Sequence, residues 1–232
     1  MRGRRQIGGV VLGAGALALF LASTGRLNAA FVAYSNFGPG NGGLDYNTSN
    51  GWFVGGRSGE NDAVGERFTP SQAGTLSQIT LALEFEKQGT NEGTVSLRAD
   101  NGRVPGAILE SWSVSNLPTE DASFHTPISV TDAINEPLLA GTTYWVVVST
   151  GASNGLSWHT NNIDAHASHA TSTDGGASWS TDFTVQGAFQ VTENPLETAA
   201  APEPASLTLL ATGALGLLGY GWRKRRQPRA AA

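Results

Sequence analysis

Apolar and polar residues alternate along short stretches in the middle of the chain. From Ile79 to Phe85 every second residue is apolar, so residues 75–86 are predicted to form one half-buried strand. Residues 142–150 have an unbroken apolar centre, which predicts a strand covered on both faces. Further strands are predicted at 52–54, 94–99, 108–117, 128–130 and 183–191.

Turn-forming residues separate these stretches at intervals of about ten residues. Gly, Asn, Pro and Ser predominate between the predicted strands, and no amphipathic helix is visible among them. The pattern predicts an all-β fold, a jelly-roll-like β-sandwich formed by residues 31–193.

The amino-terminal residues have the three parts of a secretory signal peptide. Arg2, Arg4 and Arg5 precede an apolar run at 7–22, and small residues at 27–30 offer a cleavage site. Residues 1–30 are therefore predicted to be a signal peptide handled by the secretion machinery. Arg4 and Arg5 also resemble a twin-arginine signal, although the flanking pattern is incomplete.

The carboxy-terminal residues contain a second apolar run, at 205–222, with no charged side chain. A helix of 18 residues is ~27 Å long, close to the ~30 Å of a hydrocarbon core, so the run predicts a single transmembrane helix. The basic residues behind it predict a stop-transfer signal and a cytoplasmic tail at 223–232, and they are Arg223, Lys224, Arg225 and Arg226.

A short motif precedes this apolar run at the end of a linker, residues 194–204. Pro202, Glu203 and Pro204, then the apolar run, then the basic cluster resemble the PEP-CTERM sorting signal of bacteria that make exopolysaccharide. The resemblance implies that exosortase, a membrane protease-transpeptidase, recognises the motif and removes the tail. It also implies transient residence in the inner membrane, followed by delivery to the cell surface or extracellular matrix. An ordinary carboxy-terminal membrane anchor is the alternative.

The middle of the chain also resembles a family of bacterial surface domains, the choice-of-anchor domains of the R type. The shared segments, in chain order, are 51–56, 67–70, 100–106, 140–148 and 156–158. The resemblance implies export and surface attachment, and it implies no reaction.

Charge and cysteine content restrict the function further. Residues 31–201 contain five basic and eighteen acidic side chains, a formal net charge of −13. So acidic a segment argues against binding nucleic acid, which requires cationic patches. The chain has no cysteine, so neither disulfides nor thiolate sites are available.

One turn motif resembles the Asp-box, in which a carboxylate accepts backbone N–H bonds and a tryptophan packs beneath the turn. Its residues here are Ser172, Asp174, Gly176 and Trp179. Asp-boxes recur in sialidase propellers, but a single copy does not predict a repeated fold, and turn residues alone carry no mechanism.

Two groups of residues are weak candidates for metal ligands. A loop is predicted to hold the possible transition-metal ligands His159, Asp164, His166 and His169, with solvated loop histidines as the alternative. Oxygen ligands for Ca²⁺ are offered by Asn41, Asp45, Asn47, Glu60, Asn61 and Asp62, without an EF-hand pattern.

Catalytic residues are not predicted. Glu84 and Glu86 are expected on the solvent face of a strand, opposite Leu83, which does not favour a glycosidase pair. Ser149 and Ser157 lie outside any Gly-x-Ser-x-Gly motif. A sugar-stacking platform could use Trp52, Trp112, Trp158 or Trp179, but a sandwich core also uses tryptophan.

The sequence thus predicts a non-enzymatic, exported surface or matrix protein with a structural or adhesive role in a biofilm, in contact with exopolysaccharide. Two alternatives remain open: a lectin-like carbohydrate-binding module and, less favoured, a glycan hydrolase. No cofactor is predicted apart from the weak calcium candidates.

Overall fold

The structure is a computed structural model that describes residues 29–56, 60–119, 125–196 and 205–225. The predicted signal peptide lies outside the described residues except for its last two, and so do Pro202, Glu203, Pro204 and Arg226.

The described residues form strands joined mainly by turns and short loops, with a 3₁₀ turn at Asn41–Gly43 and one α-helix at the end. The strands of the first half are β1 (Phe31–Ser35), β2 (Gly51–Gly55), β3 (Ala63–Phe68), β4 (Gly74–Leu81), β5 (Leu83–Gln88), β6 (Glu92–Asp100) and β7 (Pro105–Ser115). Those of the second half are β8 (Ile128–Thr131), β9 (Pro137–Leu138), β10 (Tyr144–Ser149), β11 (Gly155–His159), β12 (His166–Ser172), β13 (Ser180–Val185) and β14 (Phe189–Pro195). The predicted all-β fold is therefore confirmed.

Three sheets, called here A, B and C, are built from these strands. Sheet A has the order β1-β14-β4-β8, with β9 also on β4, and sheet B has the order β13-β12-β3-β10-β6-β7. Sheet C is the smallest, with β11 between β2 and β5. All of these strand pairs are antiparallel.

One apolar core joins the three sheets. Its buried side chains include Leu76 and Val191 from sheet A, Val146 from sheet B, and Leu156 and Trp158 from sheet C. Sheets that share a core in this way fit the predicted β-sandwich. The jelly-roll connectivity remains a prediction.

Strand β10 confirms that residues 142–150 contain a strand covered on both faces. Val146 and Val148 enter the main core, whereas Trp145 and Val147 belong to a second cluster with Ala170. All four side chains are fully buried. An unbroken apolar run suits this position because neither face contacts water.

Two predicted strands are wrong in extent, because each is divided between two sheets. Residues 75–86 break at Ala82, where β4 of sheet A gives way to β5 of sheet C. Residues 183–191 break between β13 of sheet B and β14 of sheet A. A period of two shows which face a side chain occupies, but it does not show where a strand changes its pairing partners.

The loop between β1 and β2 covers the outer face of sheet C. Its side chains Phe37 and Tyr46 pack on Ala82 and Ala188, next to the break between β4 and β5. Two backbone hydrogen bonds between Gly38 and Asp45 close the first part of the loop. Glu84, on the outer face of β5, is therefore buried although it lies outside the main core.

The carboxy-terminal helix α1 spans Ala205–Arg225. In the part of the chain that the structure describes, no helix combines the length and the apolar character needed to cross a membrane. The transmembrane helix predicted at 205–222 is therefore not supported. Four glycines, two threonines and one serine lower the mean hydropathy of residues 205–222.

Candidate functional site

A buried carboxylate bridges two imidazoles on the outer face of sheet C. Oε1 of Glu84 lies 2.6 Å from Nδ1 of His125, and Oε2 lies 3.0 Å from Nε2 of His159. The hydroxyl of Tyr46 donates to Oε1 at 3.3 Å. Glu84 is fully buried and His159 nearly so, whereas the side chain of His125 is 26 % exposed. We call these four residues the Glu84 cluster.

The pKa values within the cluster favour an ion pair. Burial raises the pKa of Glu84, but hydrogen bonds from His159 and His125 outweigh it, so its pKa is lowered overall. Burial lowers the pKa of His159, and the hydrogen bond to Glu84 outweighs that effect, so its pKa is raised. Each partner thus stabilises the charged form of the other.

The expectation that Glu84 faces solvent is wrong. Its side chain does lie opposite Leu83, as the alternation predicts, but Tyr46 and the two histidines cover it. The sequence holds no signal for this cover, because Tyr46 and His125 are distant from Glu84 along the chain.

The histidines proposed as metal ligands lie in three separate places. His159 ends β11 beside Glu84, His169 lies within β12 beside Glu66, and Nε2 of His166 lies 2.9 Å from Asp164 near the surface. Their placement in one solvated loop is wrong, since only residues 160–165 connect the two strands. Among the described residues, no group of three or more His, Asp or Glu side chains is arranged to hold a metal ion.

The oxygen-rich segments proposed for Ca²⁺ are engaged in local structure. Asp45 accepts a hydrogen bond from the amide of Asn162 at 2.8 Å, and the side chain of Asn47 accepts from the backbone of Ser49. The backbone of Asn61 bonds to Thr173 and Gly175, next to the turn at Asp174. Calcium binding remains a prediction.

A second buried pair, which sequence reasoning missed, joins the neighbouring strands β3 and β12 of sheet B. Oε1 of Glu66 lies 2.8 Å from Nδ1 of His169 and accepts the backbone N–H of Gly187 at 2.8 Å. The ring of Trp52 packs on His169, with centroids 4.1 Å apart. Burial raises the pKa of Glu66 in spite of these bonds. The residues in contact here come from β2, β3, β12 and the connection between β13 and β14. Their spacing along the chain therefore offers no signal for the pair.

Beside the Glu84 cluster, on the outer face of sheet C, lies a surface cleft of about 330 Å³ that residues 48–50 border. We call it the β11 cleft. Its walls carry hydroxyl, amide, carboxylate, imidazole and phenyl groups, contributed by Ser49, Asn50, Phe53, Glu86, Ser157 and His159.

The Asp-box-like turn has a carboxylate at its centre. Oδ1 of Asp174 accepts the backbone N–H groups of Ala177 and Ser178, each at 2.9 Å. Hydroxyls of Ser172 and Ser178 donate to the same carboxylate. These hydrogen bonds lower the pKa of Asp174 well below its usual range. Trp179 closes the turn half-buried, beneath Gly176 and beside Arg98. These hydrogen bonds give the residues of the motif a structural role in the turn.

The candidate stacking tryptophans do not gather in one groove. Trp158 is fully buried and bonds to the carbonyl of Ala188, while Trp52 bonds to that of Val185 and Trp112 to that of Thr131. With Trp179 in its turn, each of the four has a place in the packing of the domain.

Sequence reasoning also overlooked a Gly-x-Ser-x-Gly segment at 151–155, with Ser153 at its centre. The segment is the turn between β10 of sheet B and β11 of sheet C. A nucleophile elbow joins a strand to a helix, so this context does not match that motif.

The basic residues predicted as a stop-transfer signal begin in the last turn of α1, where Arg223, Lys224 and Arg225 lie. The side chains described in the helix, at 211–223, are all exposed. The helix thus presents its apolar residues outside the core shared by the sheets.

Residues 200–226 match the PEP-CTERM protein-sorting motif. The chain carries a PEP-CTERM sorting motif. The match includes Pro202, Glu203 and Pro204, the apolar run, and the basic cluster to Arg226. The motif implies an exported protein that exosortase sorts at the membrane.

The PEP-CTERM motif covers the tail and leaves the β-domain without an assigned relative. No curated protein and no solved structure matches the chain. The resemblance to choice-of-anchor domains therefore stays a prediction.

Proposed function

We propose that this chain is a non-enzymatic surface or matrix protein, and that exosortase releases its β-domain from the PEP-CTERM tail. The observation that carries the proposal is the sorting motif at 200–226, which begins five residues after β14 ends at Pro195. A sorting motif that follows the last strand in the sequence can be cleaved off without removing any strand of the domain.

The β-domain supports a structural or adhesive role. The buried carboxylates of Glu66 and Glu84 pair with histidines of neighbouring strands, which is a structural use of these groups. Its excess of acidic residues would keep it soluble and repel nucleic acid. We infer a jelly-roll-like sandwich of the choice-of-anchor kind, delivered to a biofilm or exopolysaccharide matrix.

The test is the fate of the tail in the native host. The full chain is compared with a triple variant, Pro202→Ala, Glu203→Ala and Pro204→Ala, by intact mass and by membrane fractionation. A matched control carries Leu196→Ala, Glu197→Ala and Thr198→Ala, which alters the same number of residues, including one glutamate, in the adjoining linker.

We expect the wild type and the control to lose the tail and leave the membrane fraction. The triple variant should keep its tail and remain in the membrane fraction. If all three forms keep the tail, exosortase does not process this chain and the proposal fails. Deletion of the host exosortase should reproduce the behaviour of the triple variant.

A further inference from the structure

The outer face of sheet C carries polar side chains that are buried, although polar groups on the outer face of a sheet can usually stay in contact with solvent. Along β11, Leu156 and Trp158 enter the core, so Ser157 and His159 project to the other side. Both side chains are only 6 % exposed. Buried polar groups are costly unless they are satisfied or used, so this face invites a functional explanation.

Strand register places complementary groups around these two residues. Ser157 lies opposite Phe53 of β2 and Glu84 of β5, and His159 lies opposite Gly51. The glycine keeps the cleft open, because a Cβ there would stand 2.4 Å from the hydroxyl of Ser157. The space of about 330 Å³ is at the lower end of small-molecule sites.

The two ring nitrogens of His159 have different surroundings. Its Nε2 lies 3.0 Å from Oε2 of Glu84, whereas its other nitrogen, Nδ1, has no charged partner, and neither nitrogen makes a well-aligned hydrogen bond among the described residues. The carbonyl of Asn50 is nearby, but it already accepts from the backbone and hydroxyl of Thr160. A bound hydroxyl could therefore accept from Nδ1 in the β11 cleft.

The remaining groups of the β11 cleft suit a polyhydroxylated ligand. The carboxylate of Glu86 can accept two hydroxyl protons, and the hydroxyl of Ser49 and the amide of Asn50 can donate or accept. The ring of Phe53 offers a flat apolar surface of the kind that packs against C–H groups. Among the described residues, no lysine or arginine lines the cleft, and His159 is already paired with Glu84, so an anionic ligand would meet the carboxylate of Glu86 without a cation of its own.

We propose that the β11 cleft binds a single neutral pyranose unit, with Glu86 and His159 bonding its hydroxyls and Phe53 packing on its ring. The inference rests on the proposed function for its setting, since a matrix protein meets polysaccharide. Binding and sorting are nevertheless measured separately, so one can fail without the other.

The probes are the methyl glycosides of glucose, galactose and mannose, with methyl glucuronide as the anionic counterpart. Saturation-transfer NMR and competition titrations are recorded on the full chain in detergent. Glu86→Gln removes a charge at nearly constant shape, and Phe53→Leu keeps an apolar side chain but loses the flat ring. Glu92→Gln, an exposed position at the start of β6, is the matched control.

We expect at least one neutral glycoside to bind with a millimolar dissociation constant. Glu86→Gln and Phe53→Leu should each weaken it about tenfold, and Glu92→Gln should leave it unchanged. Unfolding midpoints equal to the wild type show that the variants are folded. Absence of binding by all three neutral glycosides, binding unchanged in both cleft variants, or tighter binding of the glucuronide would each overturn the proposal.

Discussion

Glu193 is a carboxyl group that the fold encloses completely. It lies in β14 and is fully buried, and neither carboxyl oxygen has a hydrogen bond among the described residues. The missing side chain of Gly74 makes room for it, because a Cβ there would stand 2.6 Å from Oε2. Burial raises its pKa from 4.5 to about 7. The native state thus favours the protonated acid.

This burial predicts a dependence of stability on pH. A raised pKa means that the native state binds the proton more tightly than the unfolded chain, so the contribution is complete below 4.5 and is lost as the pH rises towards 7. Glu193→Gln should remove this loss. Relative to wild type, the variant should gain about 1–3 kcal/mol of unfolding free energy between those limits.

Urea unfolding at several pH values measures this difference, with Glu92→Gln as the exposed control. A constant gap between wild type and Glu193→Gln across the range would show that Glu193 has the same pKa in both states.

At the scale of elements, buried ion pairs connect the strands and the covering loop. Glu84 on β5 pairs with His159 on β11, and Tyr46 brings the loop between β1 and β2 onto the same carboxylate. The pair contributes when both partners are charged. Because the pKa of Glu84 is lowered in the native state, its contribution to folding stability is present above pH 4.5. Because the pKa of His159 is raised, its contribution to stability is complete below pH 6.5.

The coupling between these two residues should therefore be largest between pH 4.5 and 6.5. A double-mutant cycle with Glu84→Gln and His159→Gln should give about 1–3 kcal/mol there. The coupling should decline as the pH falls through the pKa of Glu84 or rises through that of His159.

The exposed pair of Asp164 and His166 is the control for this cycle. Asp164→Asn and His166→Gln should couple by less than about 1 kcal/mol, because solvent screens exposed charges. Equal coupling in the two cycles would contradict the view that burial makes the Glu84 pair stronger.

At the scale of the whole molecule, the β-domain and the PEP-CTERM tail are built for different tasks. The buried apolar residues that form the clusters lie between Phe37 and Val191, whereas the side chains described at 211–223 of α1 are exposed. The stability of the domain is thus expected to be independent of the tail that exosortase would remove.

Truncation after Leu196 tests this independence. The unfolding midpoint in a common detergent should equal that of the full chain, because no core side chain is lost. A second truncation after Val185 also removes β14, with the buried Phe189 and Val191, and should abolish cooperative unfolding. A lower midpoint for the first truncation would show that the tail stabilises the domain.

The sequence by itself determined the all-β class, the doubly covered strand β10 and the sorting motif, because each depends on neighbouring residues. Alternation shows the face of Leu83, and the PEP-CTERM motif is contiguous. Only the tertiary structure decided that 75–86 divides at Ala82, that Glu84 is covered, and that His159 and His169 belong to separate buried pairs. These features depend on contacts such as Tyr46 with Glu84 and Glu66 with His169, which join residues distant along the chain. Local periodicity carries no information about such contacts, because the pairing of distant strands and the folding of a loop over a sheet create them.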